Sequence, residues 1–192
     1  MIYLSVLIPS IPERQNQLNL LLKRLEGQIN KLPVKDEVEI IVLMDNKQIT
    51  IGEKRERLKN MAQGKYFCLL DDDDNIDEAY IEELHNACKN EDVDVIYFDT
   101  WASVDGQVGT IKVSIEHPTN EQFVAGQDTL RKPSHVNAWK TEKFRGFKFG
   151  DRNYGEDFDF CNQCYPHITS GYKIDKVLHY YTYDVNITQA FD

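Results

Sequence analysis

Tyr66-Phe67-Cys68-Leu69-Leu70-Asp71-Asp72-Asp73-Asp74 sets an apolar, β-type run directly against four consecutive aspartates, and a helix-like stretch follows from near Asp77. The pattern predicts a strand with dense negative charge fixed at its carboxyl end. Two carboxylates about 6 Å apart repel by roughly 3 kcal/mol at an effective dielectric near 20, so the cluster needs compensation. A divalent cation is the obvious source, because oxygen ligands at a strand end suit Mg²⁺ or Mn²⁺ completed by substrate phosphates. Helix capping explains only part of the run. Asp74, Asn75, Asp77 and Glu78 could start a helix, but Asp71, Asp72 and Asp73 lie too far upstream to be caps.

Outward from this point the chain alternates. Residues 2–8 form a β-rich apolar run ending at Pro9, as in a buried parallel strand, and residues 38–44 repeat it before Asp45-Asn46. Leu18, Leu21, Leu22, Leu25 and Ile29 recur at helical spacing and predict a helix over 13–30. A second helix is predicted over 53–63, closed by Gly64 at C′, and a third carries Ile81, Leu84 and Cys88 on one face. Such alternation implies βαβ units and a parallel sheet, whose ligands bind outside the carboxyl ends of the strands. Pro9-Ser10, Asp45 and the aspartates are then expected at one crevice. The second half changes texture, with a strand over 93–98, a hairpin turning at Asp105-Gly106, and most of the aromatic residues. His135, Asn137, Trp139, Tyr154 and Tyr172 suit either a cleft wall or core, with core the better reading at most of them.

Composition narrows the partners. At 192 residues and 41% hydrophobic content the chain can bury a core as one domain. With 32 acids against 22 bases its formal net charge is -10, which disfavours tight binding of nucleic acid or anionic lipid. The apolar stretch at residues 1–9 lacks a basic flank and is too short for a signal sequence, and no later run is long enough to span a membrane. Cys68, Cys88, Cys161 and Cys164 show no disulfide framework, so a reduced, cytoplasmic protein is expected.

A second acidic cluster follows a glycine in Gly155-Glu156-Asp157-Phe158-Asp159-Phe160. Alone it reads equally as an acidic helix start or as a catalytic pair. Together with the aspartates on a parallel sheet, a division between metal binding and proton removal becomes the better reading. Ser5-Val6-Leu7-Ile8-Pro9-Ser10, Glu39-Ile40-Ile41-Val42 with Asp45, Gly52 and Arg55, Ala62-Gln63-Gly64-Lys65-Tyr66 leading to Leu70-Asp71-Asp72-Asp73-Asp74, and Gly146-Phe147 before Gly155-Glu156-Asp157 match in order and spacing across residues 3–164. In these residues the chain resembles the nucleotide-diphospho-sugar glycosyltransferases of the GT-A fold, close to family 2.

The resemblance implies an α/β, Rossmann-like GT-A fold: a mostly parallel central sheet flanked by helices, with a smaller antiparallel acceptor-side portion. One domain would span 1–192, with 1–99 as the nucleotide-sugar half and 100–192 as the acceptor half. It implies Asp71 and Asp73 as a D-x-D pair for Mn²⁺ or Mg²⁺, Asp72 beside the donor, and Pro9, Ser10 and Asp45 on base and ribose. Lys54 or Arg55 would lie near the phosphates. Asp157 would be the general base of an inverting transfer, and Glu156 would orient donor or acceptor. Some GT-A enzymes use a late histidine as third metal ligand, and His179, beside Tyr180-Tyr181, is preferred here over His135. The implied donor is a nucleotide-sugar, a UDP-sugar first, and the acceptor a saccharide hydroxyl or a modified nucleobase. The chain carries Ile11-Pro12, Met44-Asp45 and Arg55-Glu56 where the family usually has Tyr-Asn, Asp-Asp and Arg-Asn.

Two other classes share features. A sugar-nucleotide nucleotidyltransferase has the same general fold, although residues 9–14 contain no glycine-rich phosphate loop. Asp71, Asp73, Asn75, Asp77 and Glu82 occupy EF-hand positions, which would make a calcium module, but Ile76 stands where that loop needs glycine. Cys161-x-x-Cys164 with His167 lacks a matching second ligand pair for zinc and reads as core.

Overall fold

In a computed structural model, which describes residues 1–184, the alternating runs fold into one mixed sheet with helices on both faces. Strands β1 (Leu4–Ser10), β2 (Val38–Met44) and β3 (Tyr66–Leu69) are joined by helices α1 (Gln15–Ile29) and α2 (Ile51–Met61). β1 lies between the other two, parallel to both, with Leu4 opposite Val38 and Tyr66. The short β4 (Asn75–Ile76), α3 (Tyr80–Asn90), β5 (Val95–Val104), β6 (Gln107–Val113), β7 (Asp128–Arg131), β8 (Ala138–Lys140), α4 (Thr141–Phe144), α5 (Glu156–Cys164) and β9 (Gly171–Tyr183) follow. The sheet runs β2-β1-β3-β8-β5-β6-β7, with β9 also beside β5 and β4 on β9. β8 enters antiparallel between β3 and β5, and the Asp105-Gly106 hairpin joins β5 to β6, so the antiparallel portion gathers in the second half. This is the GT-A, Rossmann-like architecture.

β1 is buried along its whole length, and its side chains alternate between two cores. Leu4, Val6 and Ile8 join Leu18, Leu21 and Leu25 of α1 and Ile81, Leu84 and Cys88 of α3, as helical spacing requires. Leu7 faces Leu58, Phe67, Trp139 and Phe160 under α2 and α5. All four cysteines are buried free thiols, and Trp139 is core. No helix among the described residues is long and apolar enough to cross a membrane.

Several boundaries move for local reasons. Pro12–Arg14 forms a 3-10 turn, so α1 starts later than its apolar spacing predicts. The Thr50 hydroxyl accepts a hydrogen bond from the Glu53 backbone N–H at 3.1 Å and starts α2 two residues earlier than predicted. Gly64 does not close that helix, because Ala62 is its cap. Its role is close approach: a Cβ there would stand 2.7 Å from the Ser5 backbone nitrogen of β1. Asp77 lies before α3, its backbone N–H bonded to Leu178. The apolar β2 reads as a central strand yet lies at the sheet edge and is half-buried.

Asp94 ties the junction of β5 to the second half. One carboxylate oxygen accepts from Thr169 backbone N–H and hydroxyl, from Ser170 N–H, and from Lys143 at 2.7 Å. Burial works against its charge, but these donors prevail and hold it down at about 2. The carboxylate is nearly buried, so its depressed value is worth roughly 2 kcal/mol of stability. That contribution is complete above the ordinary aspartate range and disappears as pH falls through about 2. Asp94→Asn is therefore expected to lower the unfolding midpoint at pH 7 and to lose that deficit towards pH 2; a deficit independent of pH would contradict the assignment.

Candidate active site

The loops after β1, β2 and β3 bound a cavity of about 580 Å³ at the carboxyl ends of the parallel strands. Pro9, Ser10, Asp71 and Asp72 line it, as the crevice argument predicts, and Lys54 and Arg55 join them, whereas Asp45, Asp73 and Asp74, also expected there, are not among its lining residues. Glu156, at the start of α5, completes its inner wall. α2 supplies the basic side chains, and its N-terminus is pinned by the second half: Ile51 N–H donates to Asn153 and Gly52 N–H to the Arg152 carbonyl. A Cβ at Gly52 would collide with the Gly150 carbonyl at 1.8 Å, so glycine permits this docking. Gly155, in the left-handed region at φ 73°, turns the chain into α5.

Each aspartate of the run has a partner, and two of them share one. Asp71 Oδ1 accepts from Arg55 Nη2 at 2.6 Å, and buried Asp72 accepts from the Ser10 hydroxyl at 2.7 Å and Arg14 at 3.1 Å. Asp73 is half exposed and accepts from the same Arg14 nitrogen at 3.1 Å. Asp74 Oδ2 accepts from Asp71 backbone N–H and so closes the loop, while its Oδ1 lies 3.0 Å from His179 Nε2. The protein's own Arg14, Arg55 and His179 thus supply the compensation that the sequence argument assigns to a divalent cation. Burial with the neighbouring Asp71, Asp74 and Asp72 charges still pushes Asp73 up to about 6 against the pull of Arg14.

His179 stands opposite Asp74 and not in a trio with Asp71 and Asp73. Among the described residues no three His, Cys, Asp or Glu side chains converge as a protein-only metal cage. Asp71 and Asp73 do fit a Mg²⁺ or Mn²⁺ that takes its remaining ligands from phosphate and water, since each commits one oxygen to a guanidinium and has a second, hard oxygen. The EF-hand reading fails on geometry. Asn75 and Ile76 pair with β9, and the Asp77 carboxylate accepts from Tyr180 OH at 2.9 Å and from Ala79 N–H.

Arg55 is the centre of the site. It is 3% exposed, and besides Asp71 it holds Glu156 at 2.8 Å and approaches Asp157 at 3.9 Å. Burial opposes its charge, but these three carboxylates together raise its pKa further above the arginine range. Glu156 is pushed up by burial, with Arg55 pulling the other way. Asp157, a third exposed, pairs with His135 Nδ1 at 3.0 Å; burial would raise it, yet His135 and Arg55 hold it well below the ordinary aspartate range. Lys54 reaches the Ser10 carbonyl at 2.9 Å and Asp45. Asp45 faces Lys54 and the N–H groups of Gln48 and Ile49, so it shapes the loop whose residues 47–50 line the cavity. Arg14 is a cavity-lining residue that sequence reading missed; it ends the 3-10 turn directly before α1, and nothing in the local pattern marks it.

No family model matches the chain, and no curated protein matches it in sequence. Among solved structures, S. aureus TarS 1–349 in complex with UDP aligns at a TM-score of 0.72 and 18% identity, over 95% of this chain and 60% of that one. TarS 1–349 in complex with UDP-GlcNAc aligns at 0.67 and 17% identity, over 96% and 59%. The chain thus spans about 60% of the length of these TarS chains. The shared fold is that of the GT-A nucleotide-sugar glycosyltransferases.

Proposed function

We propose that the chain is a glycosyltransferase that moves a sugar from a nucleoside diphosphate to an acceptor hydroxyl with inversion. The observation that carries this reading is the single buried guanidinium of Arg55, which joins the aspartate loop at 2.6 Å to Glu156 at 2.8 Å on one wall of the cavity. A donor site and a proton acceptor from opposite halves of the chain are then parts of one unit. In this reading 1–99 and 100–192 are the donor and acceptor halves of a single domain.

The Pro9-Ser10 turn and residues 47–50 would grip base and ribose, with Asp45 holding that loop in shape, and Arg14 and Lys54 would face the diphosphate. Complexes of TarS with UDP and UDP-GlcNAc support a UDP-sugar as donor. Asp71 and Asp73 would hold Mg²⁺ or Mn²⁺, and such an ion neutralises charge on a departing diphosphate. Asp157 takes the proton of the acceptor hydroxyl as the acceptor oxygen bonds to the sugar carbon and the bond to the diphosphate breaks on the opposite face. Glu156 holds Arg55 and thereby sets the position of both acidic loops. His179 enters as a support of Asp74, and a saccharide is the acceptor that the acidic surface favours.

Thermal unfolding with UDP-, GDP-, CDP- and dTDP-sugars, each with and without Mn²⁺, tests the reading. A ligand at a hundred times its Kd stabilises by about 2.7 kcal/mol, so the midpoint should rise by roughly 5 to 10 °C with UDP-sugar and Mn²⁺ together. Asp73→Asn should remove the Mn²⁺-dependent part of that rise. No shift with any nucleotide-sugar would overturn the proposal.

A further inference from the structure

His135 meets Asp157 from outside α5. Its Nδ1 is shielded from solvent and lies 3.0 Å from Asp157 Oδ2, and no other acid among the described residues pairs with that nitrogen. Arg55 Nη1 approaches the same oxygen at 3.9 Å. Both partners therefore meet the carboxylate at Oδ2, and Oδ1 is the oxygen that neither of them holds.

The turn that carries His135 is held on every side. Ser134 N–H donates to the Asn137 side-chain oxygen at 2.8 Å, Asn137 N–H donates to the Ser134 carbonyl at 3.1 Å, and the same carbonyl accepts from Trp139 Nε1–H at 3.0 Å. Asn137 and Trp139 are fully buried. The His135 carbonyl accepts from Leu69 N–H at 3.0 Å, which ties the turn to the strand end two residues ahead of Asp71. Just beyond α5, Tyr165 OH donates to the Pro133 carbonyl at 2.9 Å. The imidazole is thus seated against β3 on one side and the α5 region on the other.

A plain structural link would be the competing account, but α5 does not need one. Arg55 already holds Glu156, and Phe160, Cys161 and Cys164 are buried in the core beneath the helix. Asp157 is a third exposed, and a polar pair at such exposure contributes little to stability. What the contact supplies is direction, since a carboxylate on the rim of a site takes a proton well only when one oxygen is held on the line of the hydroxyl. We infer that His135 positions Asp157: its Nδ1–H grips Oδ2 and turns Oδ1 towards the acceptor hydroxyl. The inference rests on the transferase reading, in which Asp157 takes that proton. The hydroxyl proton passes to Oδ1 while His135 keeps its own, so the imidazole is a positioning residue and not the base. At rest Nδ1 is within reach of Oδ2 without being aligned on it, and such bonds tighten once the reacting groups are bound.

Imidazole nitrogen NMR of the whole chain at about pH 9, above the ordinary histidine range, tests the grip without turnover. His135, identified as the signal missing in His135→Phe, should carry its proton on Nδ1, and Asp157→Ala should abolish that preference. Turnover is read as UDP released from UDP-GlcNAc with Mn²⁺, where water takes the place of the acceptor. His135→Phe should slow release by about 10²-fold at unchanged KM for the nucleotide-sugar, the usual effect of a misplaced reacting group. His135→Asn, whose amide N–H can stand where Nδ1–H stood, should recover most of that loss. His135→Phe combined with Asp157→Asn should be no slower than Asp157→Asn alone, because residues that act as a unit are not additive. The nucleotide-sugar thermal shift should persist in every variant, which also shows that they fold. A proton on Nε2, undiminished release by His135→Phe, or losses that multiply in the double variant would each overturn the inference, and with Asp157→Asn still inactive would spare the transferase reading. Neither a thermal shift nor UDP release from the unaltered chain would overturn that reading, and the role of His135 with it.

Discussion

Asp157→Asn is expected to reduce sugar transfer by about 10²- to 10⁴-fold, the usual worth of a positioned proton acceptor, while donor binding survives. The substitution keeps the shape of the side chain and removes its ability to take a proton. Asp157 is ionised throughout the neutral range, because His135 at 3.0 Å and Arg55 outweigh the burial that would raise it. Transfer should therefore show no acid-side loss attributable to this residue until well below the ordinary aspartate range. Arg55 retains Asp71 and Glu156 in the variant, so the aspartate loop stays anchored. The measurement is transfer rate beside the nucleotide-sugar thermal shift. Full transfer in Asp157→Asn would remove Asp157 as the base, whereas loss of both readouts would make it a structural residue.

The parallel half of the fold was legible because β1 is buried on both faces and α1 and α3 on one, and burial is what apolar periodicity records. β2 misled for the same reason. An apolar edge strand, covered on one side by partly buried neighbours, leaves the same trace as a central one. The carboxyl-end crevice was legible from topology, and Pro9, Ser10, Asp71 and Asp72 line it, although Asp45, Asp73 and Asp74 do not. What offsets the aspartates was not legible. The partners Arg14, Arg55 and His179 come from a turn before α1, from α2 and from β9, and nothing local in the sequence pairs them with the run. Thus a dense cluster of like charges marked one wall of the cavity, while the inference from charge to divalent cation skipped cations that folding itself brings in.

Those folded-in cations make Arg55 the most consequential side chain for stability. Arg55→Met removes the one positive charge held against Asp71 at 2.6 Å and Glu156 at 2.8 Å. Removing the partner of buried Glu156 costs about 3 to 5 kcal/mol, because its charge stays buried and uncompensated, whereas Asp71 is partly solvated. For a chain of this size that corresponds to a fall in midpoint of roughly 10 °C. Glu156 decides the pH dependence. Burial already raises it, and without Arg55 it binds a proton more tightly folded than unfolded, so the variant gains stability relative to the unaltered chain as pH falls and loses it as pH rises. Glu156→Gln added to Arg55→Met should recover part of the loss, since a neutral amide needs no counter-charge. Arg55→Lys should fall between, as an ammonium cannot span both carboxylates in the forked geometry of a guanidinium. An unchanged midpoint in Arg55→Met, or a double variant as unstable as the sum of its parts, would show that the two acidic loops are held together by something other than this charge.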